Sequence, residues 1–336
     1  MVDTKELVRI LKERGISNPL LEVIEDTFNK STNSDLNNYL NNFIFGPQFN
    51  LKCISRWACS SDYCFNDRNK SNNVMTFTLI PCIDDFNNLS KFLSKIARVD
   101  IKKTKYVPKE FTDFLKTYPI INFSFIINDK KKIFGSENNI VKGNFENTFI
   151  FMKKQYVEWS KKQPNQRKYF NKTLKKINCI LQLIKNSKKI KQIRYMLLVT
   201  FLGAYVSSKV LQQLKNIELF GWFSDRDAIN EVCNNFSIEL FQYYLHGLVG
   251  GKNITFVASP ASSKDNAFYE EFVRIPDYIA GTLADYNIQN NTITKNKFND
   301  ILTNYMAENQ DNNFIFRIFI QENKLSCSRV TIHKKI

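Results

Sequence analysis

Residues 217–227 read IELFGWFSDRD, a mostly apolar run that ends in two aspartates. A short apolar run bounded by turn-forming residues predicts a buried strand, here over Ile217–Phe223. A helix is predicted next, at about Ala228–His246, and a short strand at Ile254–Ser259. A strand, a helix and a further strand in succession are typical of α/β proteins with parallel strands.

Further strands are predicted upstream of this run. The first covers about Lys52–Tyr63, and the second, Val74–Cys82, alternates apolar and polar residues. A helix over Asp84–Arg98 separates the second strand from a third at Ile120–Asn128. Together these elements predict an α/β fold with a mixed sheet and flanking helices.

The 336 residues suffice for one large domain with additions or for two domains. We interpret residues 1–50 as an N-terminal helical unit, 51–290 as the core, and 291–336 as a C-terminal helix with a β-hairpin. The predicted peripheral elements are a helix around Leu7, Ile10 and Leu11, a helix from Pro19 to Phe28, a helix capped by Ser34 or Asp35 that runs to Phe43, a helix near residues 295–307, and a hairpin of Phe314–Ile320 with Leu325–Ile332.

The positive charge of the chain is concentrated in one region. The net charge is +16, and residues 152–216 hold sixteen Lys and Arg against the single acid Glu158, a difference of +15. Helical spacing of apolar residues predicts that residues 145–215 form a helical insertion with a cationic outer surface. Such a surface fits a phosphate backbone, although a solvated helix face is the plainer alternative. The candidate nucleic-acid-binding residues are Lys175, Lys176, Lys185, Lys188, Lys189 and Arg194.

Three aspartates are predicted to follow strands. Asp62 ends the first strand, and Asp225 ends the strand over Ile217–Phe223. Asp277 is interpreted as opening a helical segment just after another strand, with Pro276 in its first turn, within the stretch expected to be helical over roughly Asn266–Tyr286. Carboxylates at strand ends converge on one edge of a sheet, where they bind divalent cations. We therefore expect Asp62, Asp225 and Asp277 to be catalytic and to bind Mg²⁺ or Mn²⁺. Supplementary ligands are Asp227 and Asp285, and the alternative role of such aspartates is helix capping or turn formation.

A family resemblance comes from two segments. The run IPDYIAGTLADYN at residues 275–287, preceded by ITFVASPASSK at residues 254–264, resembles the C-terminal signature of a large, mostly uncharacterised bacterial family with an RNase H-like fold. The family's closing helix reads roughly Ala-Asp-x-Ile-Ala-Gly, which Asp277 and Gly281 match, and Gly281 is expected to permit a close backbone approach. Ser263-Lys264 resembles the Ser-Lys that precedes this helix.

The resemblance extends over about residues 54–286 and carries expectations for the other motifs. It implies that Asp225 is the strand-end Asp of the middle motif and Asp62 the opening Asp. The family opens with Asp-Glu-Ser-Gly, whereas Tyr63-Cys64 stands here in place of Glu-Ser, and Arg274 replaces the usual Gln. A Glu ligand is therefore absent, which leaves open an inactive nuclease fold used for binding. Families of this kind are often found beside toxin or phage-defence systems.

Several classes of protein are disfavoured. Seven cysteines without a CxxC pair, together with His246 and His333, offer no zinc-site spacing. An odd number of thiols, interpreted as free, fits a reducing cytoplasm. The charged N-terminus is not a signal peptide. The apolar stretch Tyr195–Ser208 is shorter than the roughly 20 residues that span a bilayer, so it predicts a buried helix and no membrane association.

These observations lead to three hypotheses. The first is a Mg²⁺- or Mn²⁺-dependent nuclease acting on RNA or DNA, as a toxin or phage-defence effector. The second is a catalytically inactive nucleic-acid-binding or regulatory subunit. In the third, the chain is a structural partner in a larger complex, such as a defence or toxin system, and its basic face covers an acidic protein. The oligomeric state is left open.

Overall fold

The computed structural model describes residues 19–334, apart from 48, 50–53, 84, 129–132, 135–137 and 260–268. The helix predicted around Leu7, the predicted strand start at Lys52, the predicted helix start at Asp84 and the Ser263-Lys264 pair lie outside the described residues. All statements below concern the described part of the chain.

Seven strands form one mixed sheet in the order β5-β4-β1-β2-β3-β6-β7. β1 pairs antiparallel with β2 and β2 with β3, whereas β4 lies parallel to both β1 and β5. β6 extends the sheet parallel to β3, and β7 closes it antiparallel to β6. The strands are β1 Arg56–Cys64, β2 Asn73–Pro81, β3 Ile121–Ile127, β4 Leu219–Ser224, β5 Thr255–Ala258, β6 Asn313–Gln321 and β7 Lys324–Val330.

Ten α-helices flank the sheet in the described residues. They are α1 Pro19–Ser31, α2 Asn33–Tyr39, α3 Phe86–Ile96, α4 Lys109–Thr117, α5 Asn138–Lys162, α6 Arg167–Lys185, α7 Ile190–Leu211, α8 Phe236–Leu248, α9 Glu270–Asp285 and α10 Asn296–Ile301. Short π-helical turns extend α2 over Leu40–Ile44 and α10 over Leu302–Met306. The α/β class predicted from the sequence is confirmed.

Each face of the sheet buries its own apolar core, because successive strand residues point to opposite sides. On β1, Trp57 and Cys59 belong to a core with α1 and α5–α8, whereas Ala58 belongs to a second core with α3, α4, α9 and α10. The sheet therefore separates the basic helices from α9.

The predicted strands and the helical insertion are confirmed to within a few residues at their ends. Residues 145–215 form α5, α6 and α7, of which α5 begins earlier, at Asn138. The stretch Tyr195–Ser208 lies in the buried helix α7. Among the described residues, no helix is long and apolar enough to cross a membrane.

Two predicted helix starts are wrong. The helix expected from Ala228 begins only at Phe236, because Cys233, Asn234 and Asn235 adopt left-handed backbone conformations with φ of 47°, 58° and 59°. Such conformations cannot continue a right-handed helix. Pro276, expected in a first turn, lies inside α9, so Asp277 is a mid-helix residue.

The N-terminal and C-terminal elements attach to the same sheet. The predicted hairpin is present as β6 and β7, and it continues the sheet beyond β3. Thr27 of α1 donates a hydrogen bond to the Cys327 carbonyl of β7, at 2.9 Å. The predicted cap at Ser34 or Asp35 is wrong: Thr32 is the N-cap of α2, and Asp35 pairs with Arg329 instead.

One cysteine pair corrects the expectation of free thiols. Cys179 of α6 and Cys233 form a disulfide. Cys59, Cys64 and Cys327 are free thiols. The spacing of 54 residues between Cys179 and Cys233 contains no motif that would have predicted the pair. The disulfide ties the basic helix α6 to the segment that follows β4.

Candidate active site at the carboxyl end of the sheet

The parallel pairing of β1 and β4 brings Asp62 beside Asp225. Ser60 is in register with Phe223, and the Asp225 N–H donates to the Ser61 carbonyl at 3.3 Å. Because side chains alternate along a strand, Asp62 lies on the same face as Ser60, two residues further along. Asp62 thus approaches the end of β1, next to the residue that directly follows β4.

Asp277 reaches the same place from α9, which packs over β1. A tight contact fixes the helix there: a Cβ added to Gly281 would lie 2.8 Å from Cγ2 of Ile101. A close backbone approach was expected at Gly281, whereas the close neighbour is the side chain of Ile101. The Ile101 N–H donates to Asp277 Oδ2 at 2.8 Å, so Asp277 also holds the segment between α3 and α4.

Two further bonds dock that segment on α9. The guanidinium of Arg274 donates to the Ala97 carbonyl at 2.7 Å, and the Tyr278 hydroxyl donates to the Val99 carbonyl at 2.9 Å. Arg274, which replaces a Gln of the family signature, therefore has a docking role. The docked segment carries Asp100 and Lys102 to the site.

Asp62, Asp225 and Asp277 line a single cavity of about 290 Å³, which we call the acidic pocket. Its carboxylates are Asp62, Asp100, Asp225, Glu270 and Asp277, and its cations are Lys102, Arg226 and Arg274. Five acids against three bases give the lining a formal charge of −2. Arg226 is paired with Glu270 at 2.9 Å, so part of the positive charge is neutralised within the pocket.

Burial and like charges act together on the carboxyls. Burial raises the pKa of Asp62 well above its usual range, and the charges of Asp277 and Asp225 raise it further, while Lys102 opposes them. Burial raises the pKa of Asp277 to about 6, against the hydrogen bond from Ile101. Carboxylates that repel each other in this way are stabilised by a cation placed among them.

The donor chemistry of the pocket suits a hard cation. Carboxylate oxygens are the ligands that Mg²⁺ and Mn²⁺ prefer. However, no group of three or more His, Cys, Asp or Glu side chains in the described chain is already arranged to hold a metal ion. Mg²⁺ usually keeps several waters and is bound through one or two carboxylates plus substrate phosphates. The pocket fits that mode of binding and not an all-protein cage.

The two supplementary aspartates do not line the pocket. Asp227 accepts a hydrogen bond from the Ile229 N–H at 3.2 Å and shapes the turn after β4. Asp285 pairs with Lys70 at 2.7 Å and accepts bonds from the backbone and hydroxyl of Thr294. Asp227 takes the turn-forming role that was the alternative to metal binding, whereas Asp285 forms an ion pair that the sequence did not predict.

The predicted basic residues divide into two groups. Lys175, Lys185, Lys188 and Lys189 are exposed. Lys176 forms a largely buried ion pair with Glu239 of α8, and Arg194 is only 9% exposed. Lys176 is therefore a structural residue, and Arg194 is not part of the exposed surface that Lys175, Lys185, Lys188 and Lys189 form, which we call the lysine surface. The tertiary partner of Lys176 lies 63 residues away, which the helical pattern could not indicate.

Some residues of the pocket were not foreseen. Asp100 and Lys102 lie in an irregular segment without a recognisable motif, and Glu270 precedes the signature run. Tyr63, which follows Asp62, bonds through its hydroxyl to Ser61 and Ser224 at 2.6 and 2.9 Å. Comparisons of the chain with protein-family models, with curated proteins and with solved structures find no match.

Proposed function

We propose that this chain is a Mg²⁺- or Mn²⁺-dependent nuclease with an RNase H-like core. The observation that carries the proposal is the convergence of Asp62, Asp225 and Asp277, from two strand ends and a helix, on the acidic pocket. These residues are 163 and 52 positions apart in the chain, so only the fold brings them together. Divalent cations held by such carboxylates are a common basis of phosphodiester hydrolysis.

The topology supports the RNase H-like assignment. β1, β2 and β3 form an antiparallel unit, and β4 and β5 extend it beside β1 as parallel strands. A mixed sheet of this kind, with helices on both faces, is what the sequence resemblance implies. The α5–α7 helices, together with β6 and β7, would be additions to that core.

One or two of the carboxylates of Asp62, Asp225 and Asp277, together with a phosphate of the substrate, would hold each cation. Hydrogen bonds already occupy Asp277 Oδ2 and Asp225 Oδ1, the latter from the Arg226 N–H, and the second oxygen of each carboxylate lies outside these bonds. When bound, the cation would polarise the phosphate and lower the pKa of a water that attacks phosphorus.

The remaining residues of the pocket would orient the substrate. Lys102 is exposed at the pocket and lies among acids, so its ammonium can pair with a non-bridging phosphate oxygen. The docking of residues 97–102 on α9 holds Lys102 opposite Asp277 without a contribution from the ligand. Outside the pocket, the exposed candidate lysines Lys175, Lys185, Lys188 and Lys189 would bind the phosphate backbone without reading its sequence.

A nucleic-acid-binding or regulatory subunit without catalysis is the second candidate. Two observations favour it: Tyr63-Cys64 replaces the Glu-Ser of the resembled motif, and no carboxylate group in the described residues is pre-arranged for a metal. In that case the lysine surface would function without the acidic pocket.

Incubation of the purified chain with labelled single-stranded and duplex RNA and DNA separates the two candidates. Each substrate is tested with Mg²⁺, with Mn²⁺ and with EDTA. Cleavage that requires the metal supports the nuclease, and salt-sensitive binding without cleavage supports the second candidate. Neither binding nor cleavage would contradict both and would favour the hypothesis of an acidic protein partner.

A further inference from the structure

The junction of α6 and α7, from the last residue of α6 to the first turn of α7, carries the densest positive charge of the helical insertion. Residues 185–191 contain four lysines and no acid. All four are exposed, and we call them the lysine cluster: Lys185, Lys188, Lys189 and Lys191. A net charge of +4 on seven residues attracts a polyanion more strongly than isolated lysines do.

The lysine cluster lies at the same end of the sheet as the acidic pocket. The ring of Tyr195 in α7 stacks on Phe65 with centroids 4.4 Å apart, and its hydroxyl donates to Asn66 Oδ1 at 2.8 Å. Phe65 directly follows β1 and is three residues beyond Asp62. The first turns of α7 therefore adjoin the carboxyl edge of the sheet, on the face opposite α9.

The first turn of α7 has the features of an anion site. Its N-cap residue Lys189 makes no side-chain capping bond, and the first amide groups of a helix have no carbonyl partner within it. Arg194 lies one turn further, 9% exposed, and its Nε has no hydrogen-bond partner among the described residues. Because helical side chains lean toward the N-terminus, Arg194 is directed toward this first turn.

We propose that the first turn of α7, with Arg194 and the lysine cluster, binds a backbone phosphate of the strand whose scissile bond lies in the acidic pocket. The strand would cross the β1–β2 turn at Phe65 and Asn66. This inference rests on the proposed nuclease function and names its substrate class: a polynucleotide that extends well beyond the cleaved bond, not a dinucleotide or a mononucleotide.

The path from the pocket to the lysine cluster sets a minimum length. The three extended residues from Asp62 to Phe65 cover about 10 Å, and the helical residues from Tyr195 back to Ile190, with the two residues that lead on to Lys188, cover about the same, giving a path on the order of 20 Å. With one phosphate per about 3.4 Å along a duplex strand, this path corresponds to about six base pairs. Shorter substrates would fill the pocket without reaching the cluster.

The test compares two triple variants with the same loss of charge. Lys185→Gln/Lys188→Gln/Lys189→Gln removes three of the four cluster lysines, and Lys161→Gln/Lys162→Gln/Lys168→Gln removes three exposed lysines at the other end of α6, in the last turn of α5 and the first turn of α6. About 17–21 residues of α6 at 1.5 Å each separate the two sites by roughly 25–30 Å. Affinities for 4-mer and 20-mer RNA and DNA are measured by fluorescence anisotropy in EDTA, and cleavage is measured separately with Mg²⁺ or Mn²⁺.

We expect the cluster variant to bind the 20-mers about tenfold more weakly at 0.1 M salt, with a flatter salt dependence, while the 4-mers are unaffected. The control variant should keep most of the wild-type affinity.

Equal losses in both variants, or no loss in either, would overturn the inference. If the cluster variant alone loses 20-mer binding but the wild-type chain cuts no substrate, the phosphate site stands and the proposed nuclease function fails. The RNA and DNA arms identify which polynucleotide supplies the phosphate.

Discussion

Two aspartates of α9 lie two turns apart in opposite environments. Asp285 is paired with Lys70 and accepts hydrogen bonds from Thr294, and these partners outweigh its burial and lower its pKa. Asp277 faces other acids in the pocket, and burial raises its pKa to about 6. The difference indicates that Asp285, at the C-terminal end of α9, stabilises the fold, whereas Asp277, in the middle of the helix, lies among like charges that disfavour its ionised form.

The largest expected effect is on cleavage. Asp62→Asn and Asp277→Asn each preserve the side-chain shape, and the amide oxygen introduced by the second change can still accept the hydrogen bond from Ile101. Because each removes a ligand charge for the proposed cation, we expect cleavage to fall at least about 1,000-fold, equivalent to about 4 kcal/mol of barrier. Single-turnover assays with saturating metal measure the loss.

Neighbouring residues supply a matched control for this prediction. Asp225→Asn should lose activity, whereas Asp227→Asn, two positions further and outside the pocket, should retain most of it. The two variants make the same chemical change, Asp to Asn, at two positions of which only the first lines the pocket. Similar activities for the two variants would contradict the assignment of the pocket.

The next largest effect is on the stability of the fold and concerns Asp285, at the C-terminal end of α9. Asp285→Asn leaves Lys70, whose side chain is 16% exposed, without its charged partner. Removing one partner from a well-buried ion pair costs about 3–5 kcal/mol, and some solvent access to Lys70 should reduce this to about 2–3 kcal/mol. Asp277→Asn should instead raise the melting temperature of the metal-free chain, since it relieves repulsion.

Urea denaturation of the two variants in EDTA tests this contrast between the middle and the C-terminal end of α9. Opposite signs of the change in unfolding free energy would support a structural role for Asp285 and a ligand-binding role for Asp277. Destabilisation of similar size in both would mean that the charge of Asp277 stabilises the fold, since Asp277→Asn keeps an acceptor for the Ile101 N–H.

The convergence of the acids could be predicted from the sequence, because the geometry behind it is simple. An apolar run followed by Asp225 predicts a strand end, and parallel strands bring their carboxyl ends to one edge. Asp277 was predicted from its position after another strand and matched by the resemblance of residues 275–287, but its expected position at a helix start was wrong, since α9 begins at Glu270 and accommodates Pro276 in its interior.

The partners of individual charges could not be predicted. Lys70 and Asp285 are 215 residues apart, and no local pattern links them. The same limit applies to Lys176, which the helical periodicity placed on the outer surface but which pairs with Glu239. A sequence pattern gives the face of a helix, whereas the charge that meets it depends on tertiary packing.

A smaller effect concerns pH. The folded pKa of Asp277 is raised, so its contribution to stability is present in full below the unfolded value and is lost as pH rises through about 6. We expect the metal-free chain to lose stability between about pH 4 and 6, and Asp277→Asn to lose less over the same window. Melting curves at 0.5-unit intervals, with and without Mg²⁺, measure it, and Mg²⁺ should restore stability mainly above pH 6. Identical pH profiles for wild type and variant would contradict the assigned repulsion.

The smallest expected effect extends the comparison from buried acids to buried cations. Lys70 has a charged partner, whereas the Nε of Arg194 is buried without a hydrogen-bond partner among the described residues. Burying such a group costs free energy, so Arg194→Met, which removes the charge and keeps an apolar stem, should leave the melting temperature unchanged or higher.

If Arg194 binds a phosphate, the same variant should weaken 20-mer binding about three- to tenfold. Arg194→Lys should recover part of that affinity, because it restores the charge without the guanidinium geometry. A purely structural Arg194 would give the reverse result: a lower melting temperature in Arg194→Met with unchanged affinity. Anisotropy and thermal denaturation of the two variants therefore distinguish a cation held for a ligand from one that holds the fold.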